Sequence, residues 1–189
     1  MKIPQLKGYQ EGKSIKFNFI VLTIVSLFMG LAALILFNIL RFWIENGSFS
    51  GESSGSLNPM QLLGAMLVVL ITIIVHELIH GMTFKLFDYK VKYGVIMPFA
   101  AYAMADKQFM RRRDYFIVGL APLFVINTVS LLIFFLRIPL LSDIAYVAIV
   151  FNTAGAVGDI WLASKIFSSP KGTLYYDYSP SENYVYLPK

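Results

Sequence analysis

The chain has no cysteine, only two histidines and few charged side chains, and each shortage excludes a class of protein. Without thiols there are no disulfides and no thiolate metal ligands, so any zinc ion must be held by histidine and carboxylate. Charged residues make up 14% of the 189 residues and hydrophobic residues 57%, against about 25% and 45–50% in soluble domains. This composition predicts an integral membrane protein.

The net charge of +5 does not indicate nucleic-acid binding, because the basic residues cluster between the apolar runs. Residues 1–16 hold four Lys and Arg, residues 85–114 hold seven and the tail holds three, whereas the other two connections hold only Arg41 and Arg137. Cytoplasmic loops of membrane proteins are enriched in such residues. We therefore expect a multi-pass protein of the cell membrane, with both termini and the 88–114 segment in the cytoplasm and with lipid rather than nucleic acid around it.

Four apolar runs are long enough to cross a bilayer as helices, and they predict a mainly α, polytopic membrane protein. The whole chain, residues 1–189, is expected to form a single membrane-embedded domain that begins with a cytoplasmic N-terminus at 1–16. No cleaved signal peptide is expected, since the first run is far longer than a signal-peptide core. The predicted spans are residues 17–42, 62–87, 115–136 and 144–163.

Residues 88–114 change character and are predicted to form a cytoplasmic β segment. Residues 91–97 and 99–104 have strand composition and are separated by Pro98, which favours a small β-hairpin. The basic triplet at 111–113 follows directly before the third span. A solvated or lipid-headgroup anchor is the expected role of that triplet.

The polar tail, residues 164–189, is expected to lie in the cytoplasm. Two tyrosine-rich stretches at 174–178 and 184–187 flank a turn that contains Ser and Pro. Alternation of this kind around a short turn predicts a β-hairpin-like tail.

The sequence His76-Glu77-Leu78-Ile79-His80 lies in the later half of the second span. Positions i and i+4 share one face of an α-helix, so both imidazoles can reach one metal ion, and Glu77 beside them can act as a general base. The alternative is a pair of core histidines beside a glutamate. That alternative is weak, because each ionisable side chain at mid-bilayer depth costs a few kcal/mol unless something compensates it. The pattern predicts a zinc-hydrolase centre.

Asp159 is the only acidic residue within the third and fourth predicted spans. In the predicted topology it lies 16 residues beyond Asp143, and His76 and His80 lie 15 and 19 residues beyond Gln61. At about 1.5 Å per residue all three groups sit roughly 22–28 Å from the outer face, in the cytoplasmic third of the bilayer. Two histidines and one carboxylate would leave a fourth position for water, as in catalytic zinc sites. Asp159 could instead cap an unwound helix or pair with Lys165.

Two asparagines and several glycines are further candidates. Asn127 and Asn152 could each contact substrate or a developing oxyanion, or could equally join one helix to another. Gly155 and Gly158, which precede Asp159, permit close helix approach or local unwinding, and we expect the same of Gly81.

These features resemble the site-2 protease clan of intramembrane zinc proteases. The shared features are a membrane HExxH helix, a short β segment after it, an Ala-Pro-containing third span and a distal span with Asn followed by Asp. The zincin peptidase family of bacterial membrane proteins is the most similar branch, also in its Tyr- and Asp-containing tail. The resemblance covers roughly residues 60–189, because the first span lies outside the clan's three-helix core.

The resemblance implies a role for each matched position. It assigns His76 and His80 as zinc ligands, Glu77 as general base and Asp159 as third ligand. Asn127 and Asn152 correspond to asparagines near the second and third motifs, and Leu120-Ala121-Pro122 corresponds to a small-residue–Pro motif. This chain has Gly155 where the clan usually has proline.

The leading hypothesis is therefore a membrane-embedded zinc metalloprotease that cleaves membrane-protein or peptide substrates near the cytoplasmic face. One alternative is a non-catalytic metal-binding scaffold, which would have no use for a base such as Glu77. Another is a small ion transporter, which would need polar residues toward both faces, and the outer halves of these spans are apolar. Nothing in the sequence indicates the substrate's identity or the oligomeric state.

Overall fold

A computed structural model describes residues 4–46, 59–96 and 100–189, and this part of the chain is mainly helical with small β-sheets. The helices are α1 (Phe19–Asn46), α2 (Pro59–Leu86), α3 (Arg112–Phe135), α4 (Pro139–Gly155) and α5 (Val157–Phe167). The strands are β1 (Tyr9–Glu11), β2 (Ile15–Lys16), β3 (Val91–Ile96), β4 (Ala100–Ala105), β5 (Phe109–Arg111), β6 (Leu174–Ser179) and β7 (Glu182–Pro188).

Within these described ranges, α1, α2 and α3 are each long and apolar enough to cross a membrane. Their large apolar side chains point mainly outward rather than into a protein core. A soluble protein would bury such side chains, whereas lipid can cover them. The pair α4 and α5 passes the same test as one span bent by 48°, so the described chain has three or four candidate spans by length and composition.

The fourth predicted span is not one continuous helix. Residues 144–163 were predicted to form one span, with local unwinding allowed at Gly155 and Gly158, and the structure has α4 ending at Gly155 and α5 beginning at Val157. Ala156 between them has φ −73° and ψ 3°, outside the α-helical range. Glycine has low helix propensity, so Gly155 and Gly158 lower the cost of the break.

The described residues divide into two compact units, and the boundary cuts through α2 between His76 and Glu77. The first unit comprises Met1–Leu22, Glu77–Ala121 and Gly158–Lys189. The second comprises Thr23–His76 and Pro122–Val157.

In the first unit, the described strands form a sheet with the order β1-β7-β6-β5, and β2 also pairs with β7. The antiparallel pair β6–β7 confirms the predicted hairpin in the tail. The strands β1 and β2 were not predicted, because the sequence of residues 1–16 does not by itself indicate strands. These residues become strands by pairing with β7. Their backbone groups are satisfied by β7, which pairs Tyr9 with Pro188 and Ile15 with Asn183.

The antiparallel strands β3 and β4 confirm the second predicted hairpin, with Val91 opposite Ala105 and Ile96 opposite Ala100. Pro98, which was predicted to separate them, lies outside the described residues.

One face of the larger sheet packs against α3 and α5 to form the core of the first unit. Tyr175 of β6 is fully buried, and its ring lies edge-on to that of Tyr115 in α3, with the centroids 5.5 Å apart. The other buried members of this cluster are Phe84, Ala105, Met110, Val118, Leu162, Ile166 and Val185. The later part of α2, the start of α3 and α5 are therefore held together by apolar contacts with the sheet.

The second unit consists of helices. A Cβ added to Gly30 of α1 would lie 3.2 Å from the Cβ of Ala154 in α4, so small residues allow these helices to approach closely. Arg41 donates a hydrogen bond to Asp143 at 2.8 Å and its guanidinium lies over the ring of Tyr146. These contacts join α1 to α4.

The carboxyl group of Asp177 joins β6 to β4. Its Oδ2 accepts a hydrogen bond from the Ala105 backbone N–H at 2.7 Å, and the residue is only 3% exposed. Burial raises the pKa of Asp177 to about 7, because an ionised carboxylate is poorly solvated there; the Ala105 bond acts in the opposite direction, and the nearby charge of Asp106 adds to the increase.

We expect Asp177→Asn to remove a pH dependence of stability. The folded protein keeps the Asp177 proton up to about pH 7, whereas the unfolded chain releases it near pH 4. The free energy of unfolding should therefore fall as pH rises from about 4 to about 7, by at most ~1.4 kcal/mol per pH unit, and should stay low above that. Thermal unfolding in detergent micelles across this range measures the slope.

Asp106→Asn is the matched control, because it removes an exposed neighbouring carboxyl group and leaves Asp177 in place. It should keep most of the wild-type slope, whereas Asp177→Asn should flatten it. Identical slopes in wild type and Asp177→Asn would contradict the assignment.

Candidate metal centre

His76, Glu77 and His80 lie within the uninterrupted helix α2. The helical spacing puts the two imidazoles on one face, a turn apart, with Glu77 directly beside them. His80 is buried, with 7% of its surface exposed, and Glu77 is half-buried. The local geometry expected from the sequence is therefore present.

The ring of His80 is held at both nitrogens. Its Nδ1 lies 2.9 Å from the backbone carbonyl oxygen of Val118. Because a carbonyl can only accept, Nδ1 must carry the proton and donate. The Nε2 atom then has an available lone pair, and it lies 3.4 Å from Oδ1 of Asp159.

The ring of His76 is oriented in the same way by Asn152. Its Nδ1 lies 2.8 Å from Asn152 Oδ1. The amide nitrogen of Asn152 donates to the Pro122 carbonyl oxygen at 3.3 Å and to Asn127 Oδ1 at 2.8 Å. Since the Pro122 carbonyl accepts only, the amide orientation is set, and Asn152 Oδ1 must accept from His76 Nδ1. With the proton on Nδ1, Nε2 is the nitrogen of His76 that carries the lone pair.

Asp159 lies in the first turn of α5, just after the break in the helix. Its carboxylate, His76 and His80 offer one ligand atom each, and these atoms lie within 4.8 Å of one another. Ligands held about 2.0–2.1 Å from one zinc ion at tetrahedral angles are about 3.3–3.4 Å apart. The 3.4 Å between His80 Nε2 and Asp159 Oδ1 matches that separation and is longer than a charge-assisted hydrogen bond of about 2.7–2.9 Å.

The donor set fits zinc on chemical grounds as well. Metal-binding histidines usually donate their second ring N–H to a carbonyl or carboxylate, which sets the tautomer and the ring orientation. Val118 and Asn152 supply such acceptors for His80 and His76. The alternative partner for Asp159, Lys165, has its ammonium group 5.8 Å from the ring centroid of Trp161. The first turn of α5 also places the carboxylate at the positive end of that helix.

Asn127 and Asn152 belong to a side-chain network that joins helices. Asn127 donates to Thr153 Oγ1 at 3.0 Å and accepts from Asn152. Asn152 is 2% exposed, and its contact with His76 was not anticipated from the sequence. The only hint in the sequence that Asn152 lies near the candidate metal centre is that it precedes Asp159 by seven residues.

Arg112 contacts the end of α5. Its guanidinium donates to the carbonyl oxygens of Ile166 at 2.9 Å and Phe167 at 2.6 Å, the last residues of α5. The last carbonyls of a helix lack partners within it, and a cation there also meets the negative end of the helix. This capping contact was not predicted from the sequence, and the anchor role expected of the basic triplet stays a prediction. The sequence could not reveal the capping contact, because the partners of Arg112 lie more than fifty residues away.

The glycines divide into two kinds. A Cβ on Gly81 would collide with the phenol of Tyr93 in β3, so Gly81 allows a close approach as expected. A Cβ on Gly155 or Gly158 would meet nothing within 4 Å outside its own local backbone. Those two glycines therefore accompany the helix break and do not serve close packing.

Residues 69–174 match the model of a protein family described as "Putative zincin peptidase". The match spans more than half of the chain and includes all three residues of the candidate metal centre. No significant match is found among curated proteins or among solved structures.

A double-mutant cycle tests the packing of Tyr93 on α2. Gly81→Ala should destabilise the protein by about 1 kcal/mol, because the overlap with the phenol costs more than the gain in helix propensity of up to ~1 kcal/mol. In a Tyr93→Ala background the same change should stabilise, since the overlap is gone. Thermal unfolding in micelles provides the measurement.

Gly64→Ala in the same helix is the control, because a Cβ there meets nothing within 4 Å. It should be neutral or stabilising in both backgrounds. An equal effect of Gly81→Ala with and without the tyrosine ring would show that Tyr93 does not pack there.

Proposed function

We propose, because this chain belongs to the zincin peptidase family, that it is a membrane-embedded zinc metalloprotease of the HExxH type. Its substrates would be membrane proteins or peptides, cleaved near the cytoplasmic face. The observation that carries the proposal is the pair of imidazoles on α2, each with Nδ1 bound to an oxygen, together with a carboxylate oxygen 3.4 Å from His80 Nε2.

In this proposal His76, His80 and Asp159 hold the zinc ion. When bound, zinc supplies Lewis acidity, which lowers the pKa of water and polarises the scissile carbonyl. Glu77 takes a proton from the attacking water and returns it to the leaving amine, which is the work of a general base that then acts as a general acid. Asn152 holds His76 by its Nδ1 and is a positioning residue in this scheme, not an oxyanion contact.

A relation to the site-2 protease clan supports the intramembrane setting. The HExxH stretch lies on a helix whose hydropathy and length suit a membrane span. The third ligand comes from a distal apolar helix pair, α4 and α5. Both features belong to the clan's pattern of an HExxH span followed by a distal span with aspartate.

The orientation proposed is four spans with both termini in the cytoplasm. The numbers of Lys and Arg in residues 1–16, 85–114 and the tail support it. The sheet that includes β1, β6 and β7 would then lie on the cytoplasmic side. The ligands would lie in the cytoplasmic third of the membrane, within reach of water from that side.

Peptide hydrolysis needs an extended substrate, because a helix encloses its carbonyl groups. Among the described strands, β3 pairs only with β4, so its other edge could accept a substrate strand by β-augmentation. Tyr93 of β3 packs against Gly81, the residue after His80. An unwound substrate paired with β3 would therefore lie near the helix that bears the catalytic residues.

Replacing Glu77 separates catalysis from metal binding. Glu77→Gln should keep about one zinc per chain by elemental analysis and should lower hydrolysis of labelled casein in micelles by about 100- to 10,000-fold, because the base is lost. His80→Ala should lose both zinc and activity. Glu182→Gln removes a carboxylate from β7 and is the matched control, with both properties retained.

A wild-type protein purified without zinc, and unable to bind added zinc, would contradict the metal centre. A protein that binds zinc but hydrolyses neither casein nor membrane proteins trapped by Glu77→Gln would instead be a non-catalytic metal-binding scaffold. Comparison of the partners cross-linked to Glu77→Gln and to wild type identifies the substrates.

A further inference from the structure

Pro122 lies inside α3 and is fully buried. In an α-helix the N–H of each residue donates to the carbonyl four residues earlier, and proline has no N–H to donate. The carbonyl four residues before Pro122 is that of Val118. The carbonyl oxygen of Val118 therefore lacks its helical donor. Val118 is also buried, with only 1% of its surface exposed.

This carbonyl oxygen is the one that accepts from His80 Nδ1, at 2.9 Å. A buried acceptor without its helical donor destabilises the folded protein, and the imidazole N–H removes that cost. The bond also holds the proton of His80 on Nδ1, so that Nε2 is the nitrogen that lies 3.4 Å from Asp159.

The carbonyl of Pro122 itself acts on the second imidazole. It accepts from the amide nitrogen of Asn152 at 3.3 Å. That contact sets the direction of the Asn152 amide, whose Oδ1 then accepts from His76 Nδ1 at 2.8 Å. The contact with His76 therefore uses the backbone carbonyl of residue 122, which any residue would supply, whereas the contact with His80 depends on the N–H that proline lacks.

We propose that Pro122 is a positioning residue that sets the tautomer and orientation of the His80 imidazole, and that it does so through the N–H that it lacks and not merely through a kink in α3. The inference rests on the proposed function for its consequence, namely tighter zinc binding. Acceptors of this kind typically change metal affinity 10- to 100-fold. The tautomers themselves exist without any metal.

The first experiment is Pro122→Ala in the full-length protein in micelles. Alanine restores an N–H at position 122 and turns the Val118 carbonyl toward it. Ring ¹⁵N spectra of the zinc-free protein should then show the neutral His80 as a mixture of tautomers, where wild type shows Nδ1–H. The chain has only two histidines, so His76→Gln identifies the His80 signal. Zinc affinity, measured against a chelator, should fall about 10-fold or more.

Pro139→Ala is the matched control. Pro139 stands at the start of α4, where a helix has no acceptor for its N–H, so its replacement releases no interior carbonyl. In this variant His76 and His80 should both keep the Nδ1–H tautomer, and the zinc affinity should stay within about twofold of that of wild type. An equal loss of affinity in Pro139→Ala and Pro122→Ala would overturn the inference.

A second variant keeps the proline but moves it. In the double variant Ala121→Pro, Pro122→Ala, the carbonyl that loses its donor is that of Ile117, so α3 retains a kink while Val118 regains its helical partner. A kink alone would preserve the His80 tautomer, whereas our inference requires it to change. Persistence of the Nδ1–H tautomer of His80 in both Pro122 variants would overturn the proposal.

The two histidines can be separated. Asn152→Ala should change the tautomer of His76 alone, whereas Thr153→Ala, which removes only the acceptor of Asn127, should change neither. A wild type that shows both Nδ1–H tautomers but binds no zinc would contradict the proposed function and leave the positioning intact. A zinc-binding wild type whose affinity and tautomers survive Pro122→Ala would contradict only the positioning.

Discussion

An apolar helix can hold polar side chains only if each polar atom finds a partner, and this constraint governs the arrangement around His76 and His80. Without water, an unsatisfied imidazole nitrogen or carboxylate is expensive. The chain supplies a carbonyl oxygen from α3 and an amide oxygen from α4, which take one nitrogen of each ring. The other nitrogen of His80 lies 3.4 Å from the Asp159 carboxylate, and His76, His80 and Asp159 each offer a ligand atom within 4.8 Å of the others.

The break between α4 and α5 serves the same end. Because α4 ends at Gly155 and α5 begins at Val157, the carboxylate of Asp159 lies in the first turn of a new helix. Arg112 caps the last turn of this short helix, and Leu162 and Ile166 pack into the core of the first unit. An eleven-residue helix is too short to be stable alone, so these contacts determine where its first turn lies.

Much of this arrangement could be predicted from local patterns. The apolar helices, the two hairpins and the HExxH stretch depend on periodicity and spacing within one segment; the structure has helices at the first three predicted spans, a bent helix pair at the fourth, and both hairpins. The contacts that were not predicted join distant segments. Residues 9–16 become strands because β7 offers them an edge, and Arg112 caps α5 because the end of that helix lies within reach. The contact between Asn152 and His76 was likewise not predicted, because the two residues are 76 positions apart in the sequence.

By itself the sequence determined a helical protein with long apolar segments, and it determined that two histidines and a glutamate share one turn of helix. Periodicity, length and the absence of cysteine suffice for that, because helix geometry relates neighbours along the chain. Only the tertiary structure decided which nitrogen of each imidazole carries the proton and which carboxylate approaches the rings. Those are properties of hydrogen bonds between residues 38 to 79 positions apart. The directions of these hydrogen bonds follow from the positions of the helices, from the break between α4 and α5, and from the missing N–H of Pro122 in α3. No single segment of sequence contains that information.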